Sequence, residues 1–150
     1  MTSTVSTVAD LFRGVHQQLR EAVESLDDRE LDWSPGPEMN SIAVLVTHTL
    51  GSELDTLNLV RGIAGDRDRD AEFRVSGSTK ADLLAALDRG DVRLEEHSAA
   101  ITDDELAIVR ERPGRDPQTG LHWLLNNYGH AREHLGHTHM TIQLLRQRQG

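Results

Sequence analysis

Histidine is concentrated in one stretch, Gly129-His130-Ala131-Arg132-Glu133-His134-Leu135-Gly136-His137-Thr138-His139, which holds four of the chain's eight histidines. In a helix, His130, His134 and His137 stand at i, i+4 and i+7, so their imidazoles leave on one face. One turn sets the Cβ atoms of His130 and His134 about 5–6 Å apart. Two neutral imidazoles so placed can grip one metal ion. The same spacing also fits a solvated, histidine-rich face, so the run needs support from elsewhere in the chain.

That support has to come from the elements that position the run. The last helix is expected from about Thr119 to Arg146, with a core stripe of Leu121, Leu124, Leu125, Tyr128, Leu135, Ile142 and Leu145. Trp123, Asn127, His130, His134 and Thr141 form a second stripe at least a third of the way round the wheel. An earlier helix, capped by Asn40 and reaching about Ile63, has the same two-faced character. Ile42, Leu45, Val46, Leu50, Leu54, Leu57 and Val60 make its main apolar face, while His48 projects from the other side with Val44, Gly51, Ser52 and Asp55. Val44 and Gly51 are apolar or small, so this second face is able to meet another helix. If the two second stripes face each other, His48, His130 and His134 supply three nitrogens. Three protein ligands leave a position open for water or substrate, as catalytic metal sites do. Helical wheels permit this arrangement and do not place the helices.

Two further helices complete the pattern. The first runs from about Ser6 to Leu26, with Val8, Leu11, Phe12, Val15, Leu19, Ala22, Val23 and Leu26 at helical spacing. His16 lies beside that stripe and reads as a packed or solvated residue. The third begins at the capping-box-like Thr79-Lys80-Ala81-Asp82 and carries Leu83, Leu84, Leu87, Leu94 and Ile101 inward. Gly90 in its middle weakens it or admits a close neighbour. His97, between Glu96 and Ser98, reads as exposed. Thr102-Asp103-Asp104-Glu105 is a capping box for a short helical turn before the last helix. Residues 27–39, with Pro35 and Pro37, break the chain between helices, and Trp33 is expected to anchor that connection. Residues 66–78, with alternating charges, read as a solvated loop tacked down by Phe73 and Val75. Residues 110–120 read as irregular. The sum is an all-α, four-helix bundle with an additional short turn, forming a single domain over residues 1–150.

Glu53 is the anomaly, a carboxylate inside the main apolar face of the second helix. A buried acid needs a cation, a donor or a proton. It either reaches the rim or finds a metal or a histidine.

Composition narrows the chemistry. The net charge of −9, with no basic block, argues against nucleic acid and against an anionic membrane surface. Fifteen of the sixteen basic residues are arginine, and cysteine is absent. Disulfides, thiolate zinc sites and a cysteine nucleophile are therefore impossible, and any thiol must come from solution. No apolar run approaches the roughly 18 residues of a membrane span, and the first residues lack the pattern of a secretory signal. A cytoplasmic protein is the expectation.

Two stretches resemble the DinB/YfiT-like family of four-helix metalloproteins, related to mycothiol- and bacillithiol-dependent transferases. One is Trp33-Ser34-Pro35 followed by Asn40-Ser41-Ile42-Ala43-Val44-Leu45-Val46-Thr47-His48. The other is His130-Ala131-Arg132-Glu133-His134-Leu135-Gly136-His137. The resemblance implies that His48, His130 and His134 bind a divalent metal, zinc or nickel by the preference of imidazole. It implies that Glu53 supports the site, leaves the part played by His137 open, and implies a homodimer. The activity it implies is transfer of a low-molecular-weight thiol to an electrophile. The alternative is a non-catalytic, metal-binding stress-response or interaction protein. Arg132 is expected to make a surface salt bridge with Glu133 or a nearby acid.

Overall fold

The computed structural model describes residues 3–150. Four long helices dominate it: α1 (Thr4–Glu24), α3 (Ile42–Val60), α5 (Lys80–Ala100) and α7 (Gly120–Gln149). Three five-residue helices lie in the connections: α2 (Asp28–Asp32), α4 (Arg69–Phe73) and α6 (Asp103–Ala107). The principal long-helix contacts run α1–α5, α5–α3, α3–α7 and α7–α1, so the order around the bundle differs from the order along the chain.

Local signals set the helix starts. Ser3, Asp27, Thr79 and Thr102 each cap a helix in a reciprocal capping box. For α3 the cap is Ser41, whose side chain accepts from the Val44 N–H, and not the expected Asn40. Ser41 wins because it stands one residue before the first helical position, where its hydroxyl meets the free N–H three residues on.

Phe12, Leu19, Leu31, Ile42, Leu87, Leu94 and Leu135 are fully enclosed in the core. Gly90 admits the close neighbour: a Cβ there would lie 2.8 Å from a Leu50 methyl and 3.5 Å from the His16 ring. Trp33 packs against the core, with the Arg148 guanidinium over its ring. Leu11 and Leu125 were placed in core stripes by their spacing, yet both are exposed. Each stands at the edge of its stripe, where the neighbouring helix does not reach.

Two connections carry more structure than their sequence indicates. Residues 66–78 contain α4, capped by Asp68, and are not simply a solvated loop. Residues 109–119 form a small hairpin in which β1 (Val109–Arg110) pairs antiparallel with β2 (Gln118–Thr119), turning at Gly114 with φ +74°. Its strands are too short for an alternating pattern to show. No helix among the described residues is long and apolar enough to cross a membrane.

Candidate metal centre

The second faces of α3 and α7 meet, as their wheels allowed. Val44, His48 and Ser52 on α3 are buried, as are Trp123, Asn127 and Thr141 on α7. This contact brings His48, His130 and His134 together, with one possible ligand atom from each lying within 4.8 Å of the other two. The Nε2 atom of His130 is 3.2 Å from that of His48 and 2.9 Å from that of His134.

The protonation pattern follows from the neighbours. The Nδ1 of His48 lies 3.0 Å from Glu72 Oε1 and 3.3 Å from the Arg67 guanidinium. Glu72 is the nearer group and the only one able to accept, so Nδ1 donates to it and Nε2 of the neutral ring keeps its lone pair. Burial first, and then the positive charge of Arg67 and Arg69, holds His48 below the usual imidazole range despite Glu72. Burial and His48 do the same to His130. His134 is pushed down to about 4 by burial and by His130, His48 and His137. The three rings are therefore neutral near pH 7, the state a metal ligand requires.

The trio fits a divalent ion. Nitrogens bound tetrahedrally at zinc distances stand roughly 3.3 Å apart, close to the two shorter separations here. Lone pairs converging on one point repel each other unless protons or a cation lie between them. The buried Nδ1 of His130 has no hydrogen-bond partner, although the second nitrogen of a metal-binding imidazole usually donates to an acceptor.

Glu72 holds the ligand set from behind, as carboxylates behind metal-binding histidines do. It is buried, and Arg67 grips it through Nε at 3.0 Å and Nη2 at 2.8 Å. The Phe73 ring packs on His48 with centroids 4.5 Å apart. Gly51 makes room for this, because a Cβ there would stand 2.0 Å from Glu72 Oε2. Sequence reasoning missed Glu72 and Arg67. The one signal available was Gly51, a small residue on the His48 face of α3.

Other expectations change. Glu53 does not support the centre: its Oε2 lies 2.7 Å from His16 Nε2 on the other side of α3. A histidine partner was one of the two options for this acid, and His16 is the packed residue that provides it. His97 is buried, not exposed, with its Nδ1 3.4 Å from the guanidinium of Arg61 at the end of α3. His137 is exposed with its Nδ1 3.3 Å from His134 Nδ1, outside the trio, and His139 is exposed and remote from it. Arg132 makes no ion pair among the described residues; it is exposed, where such a pair gains little.

Beside His48 and His130 lies a cavity of about 150 Å³, walled by Ser52, Trp123, Asn127 and a group of arginines. A partly buried three-histidine cluster beside a polar cavity, within a helical bundle, defines a class of candidate metalloproteins. The chain belongs to the DinB superfamily, whose family description it matches over residues 11–138. A conserved protein from Enterococcus faecalis superposes with a TM-score of 0.80 at 14% identity, covering 96% of this chain and 98% of that one. YfiT from Bacillus subtilis, described as a probable metal-dependent hydrolase with an unusual four-helix bundle topology, gives 0.76 at 17% identity over 97% and 90%. A mycothiol-dependent maleylpyruvate isomerase gives 0.70 at 12% identity, over 90% of this chain and 62% of the other. No curated protein matches by sequence.

Proposed function

We propose that the protein is a metal-dependent enzyme in which His48, His130 and His134 hold one divalent ion, zinc or nickel, and a low-molecular-weight thiol is transferred to an electrophile. The observation that carries this reading is the convergence of three neutral imidazole nitrogens beside an open cavity. A divalent ion held there would act as a Lewis acid, lowering the pKa of a thiol or water bound to it. The chain's own residues do the rest. Glu72 fixes the His48 tautomer and ring plane, and Arg67 holds the Glu72 carboxylate in place. The three imidazoles use up no open position beyond their own, and the cavity gives a co-substrate access to it. Without cysteine, the protein cannot be trapped as a mixed disulfide with its thiol.

The likeness to the mycothiol-dependent isomerase supports the thiol, and the description of YfiT supports hydrolysis as a second reading. The deciding experiment measures metal content of untagged protein, then consumption of mycothiol, bacillithiol and glutathione with a generic electrophile. The proposal expects about one ion per chain and a thiol consumed faster than by His130→Ala. Consumption at the His130→Ala rate for every thiol, with ester hydrolysis by the wild type, would replace transfer by hydrolysis. An unchanged trace metal content in wild type and His48→Ala would remove the centre itself.

A homodimer belongs to the same proposal. Met39 and Met140, half-exposed beside His137, offer apolar surface to a second copy. Light scattering at micromolar concentration should return twice the chain mass.

A further inference from the structure

The cavity beside the histidine cluster has an electrical character opposite to that of the whole chain. The protein carries a net charge of −9, yet Arg67, Arg69, Arg112 and Arg115 all line this one space. Two of them are already engaged. Arg67 grips Glu72, and Arg112 bonds Asp55 and Thr56 at 2.8 Å each. Arg69 and Arg115 pair with no carboxylate among the described residues. Each instead lies over an aromatic ring, Arg69 over Phe73 at 4.8 Å and Arg115 over Trp123 at 5.5 Å, which holds the guanidinium and leaves its N–H edge free.

Four buried side-chain atoms lack a hydrogen-bond partner among the described residues, and three of them belong to residues lining this cavity: Arg112 Nε, Asn127 Oδ1 and His130 Nδ1. Buried polar groups are rarely left unpaired, because each then loses its hydration without a replacement bond. Asn127 is 6% exposed and spends its amide N–H on Ser52 Oγ at 2.9 Å, leaving an acceptor. The set is therefore guanidinium donors for an anion together with one carbonyl acceptor for a hydroxyl or N–H. A space of about 150 Å³ takes on the order of ten non-hydrogen atoms, on the measure that one water needs roughly 10–15 Å³.

We propose that this cavity is the substrate subsite, and that it takes a small organic carboxylate bearing a hydroxyl or amino group. Arg69 and Arg115 hold the carboxylate, Asn127 Oδ1 accepts from the hydroxyl or N–H, and the Trp123 ring forms the wall. Its placement at His48 and His130 makes it a subsite of the reaction, and that part rests on the metal-centre proposal. The binding pocket itself rests on the cavity alone.

The test is calorimetric titration of zinc-reconstituted protein with malate, with dimethyl malate and with inorganic phosphate, zinc content being measured on every sample. Arg69→Ala and Arg115→Ala are the informative variants, since both side chains are exposed and neither substitution strands a buried acid. Malate should bind, its uncharged diester should not, and each variant should weaken malate about tenfold or more at unchanged zinc content and melting temperature. Malate binding that ignores both substitutions overturns the subsite, as does the absence of malate binding at millimolar concentration. Phosphate binding tighter than malate overturns the carboxylate assignment. Arginine-dependent malate binding in protein that holds no zinc supports the pocket while removing the metal centre, so the two failures are distinguishable.

Discussion

His16 with its two acids and the three-histidine cluster lie on opposite sides of α3, and they hold their histidines in opposite states. His16, fully enclosed, has Glu53 Oε2 at 2.7 Å from one ring nitrogen and Asp91 Oδ1 at 2.7 Å from the other. A ring can donate to two carboxylates only as the imidazolium. Burial opposes that charge, but the bonds to Glu53 and then Asp91 outweigh it, so His16 stays protonated above the usual range. Burial, and then the charge of Asp91, pushes Glu53 upward while His16 pulls it down; we assign the proton to His16 because it faces two acids. In the other cluster, His130 Nε2 faces the nitrogens of His48 and His134, and burial wins. Depth does not decide whether a histidine is held as a cation or as a neutral ring able to accept a metal. The atoms facing its nitrogens do.

The widest separation between the two clusters is expected in metal content. His130→Ala or His48→Ala should lose nearly all bound divalent metal by elemental analysis, whereas His16→Ala should retain it. Equal loss from both clusters would erase the distinction.

Stability should separate them the other way. His16→Ala strands Glu53 as an unpaired buried acid, and breaking a buried pair in this way costs about 3–5 kcal/mol. Urea unfolding of metal-free protein should show that loss for His16→Ala and a smaller one for His134→Ala, which is only partly buried. Next in size is Gly51→Ala. The added methyl displaces Glu72 from His48, and loss of such a supporting carboxylate weakens metal about 10–100-fold. Competition with a chelator would measure it; an unchanged affinity would detach Glu72 from the centre.

The smallest effect is in the pH profile of metal-free protein. His16 has a raised pKa in the fold, so its stabilisation is complete below about 6.5 and is lost as pH rises through the raised value. His134 titrates near 4 in the fold, so its unfolded form binds the extra proton and stability falls as pH drops from about 6.5 toward 4. Subtracting the His16→Ala profile from that of the wild type should isolate the alkaline loss, and subtracting the His134→Ala profile should isolate the acid loss. Slopes of the same sign would contradict the opposite protonation states.

The long helices were legible because their signals are local. Capping boxes at Thr79 and Thr102, the apolar stripe of α1 and the two-faced wheels of α3 and α7 all lie within a few turns of sequence. The three-histidine cluster was legible for the same reason, given two helices that could face each other and the family resemblance. Glu72, Arg67 and the cavity arginines were not, because they sit in connections whose charged residues look the same whether solvated or folded back. His97 reads as exposed because of its charged neighbours. The wheel puts Glu53 on the correct face of α3, and it is the family resemblance that assigns it to the wrong site.

The five residues of α4 are too few to hold a helix alone. Their order rests on the Asp68 cap, the Phe73 ring against His48, and the Glu72 carboxylate held between His48 and Arg67. Backbone amides 71–74 should therefore exchange with deuterated solvent at a rate set by the orientation of His48. A surface segment far along the chain from the last helix becomes a built-in reporter of what occupies the bundle interior.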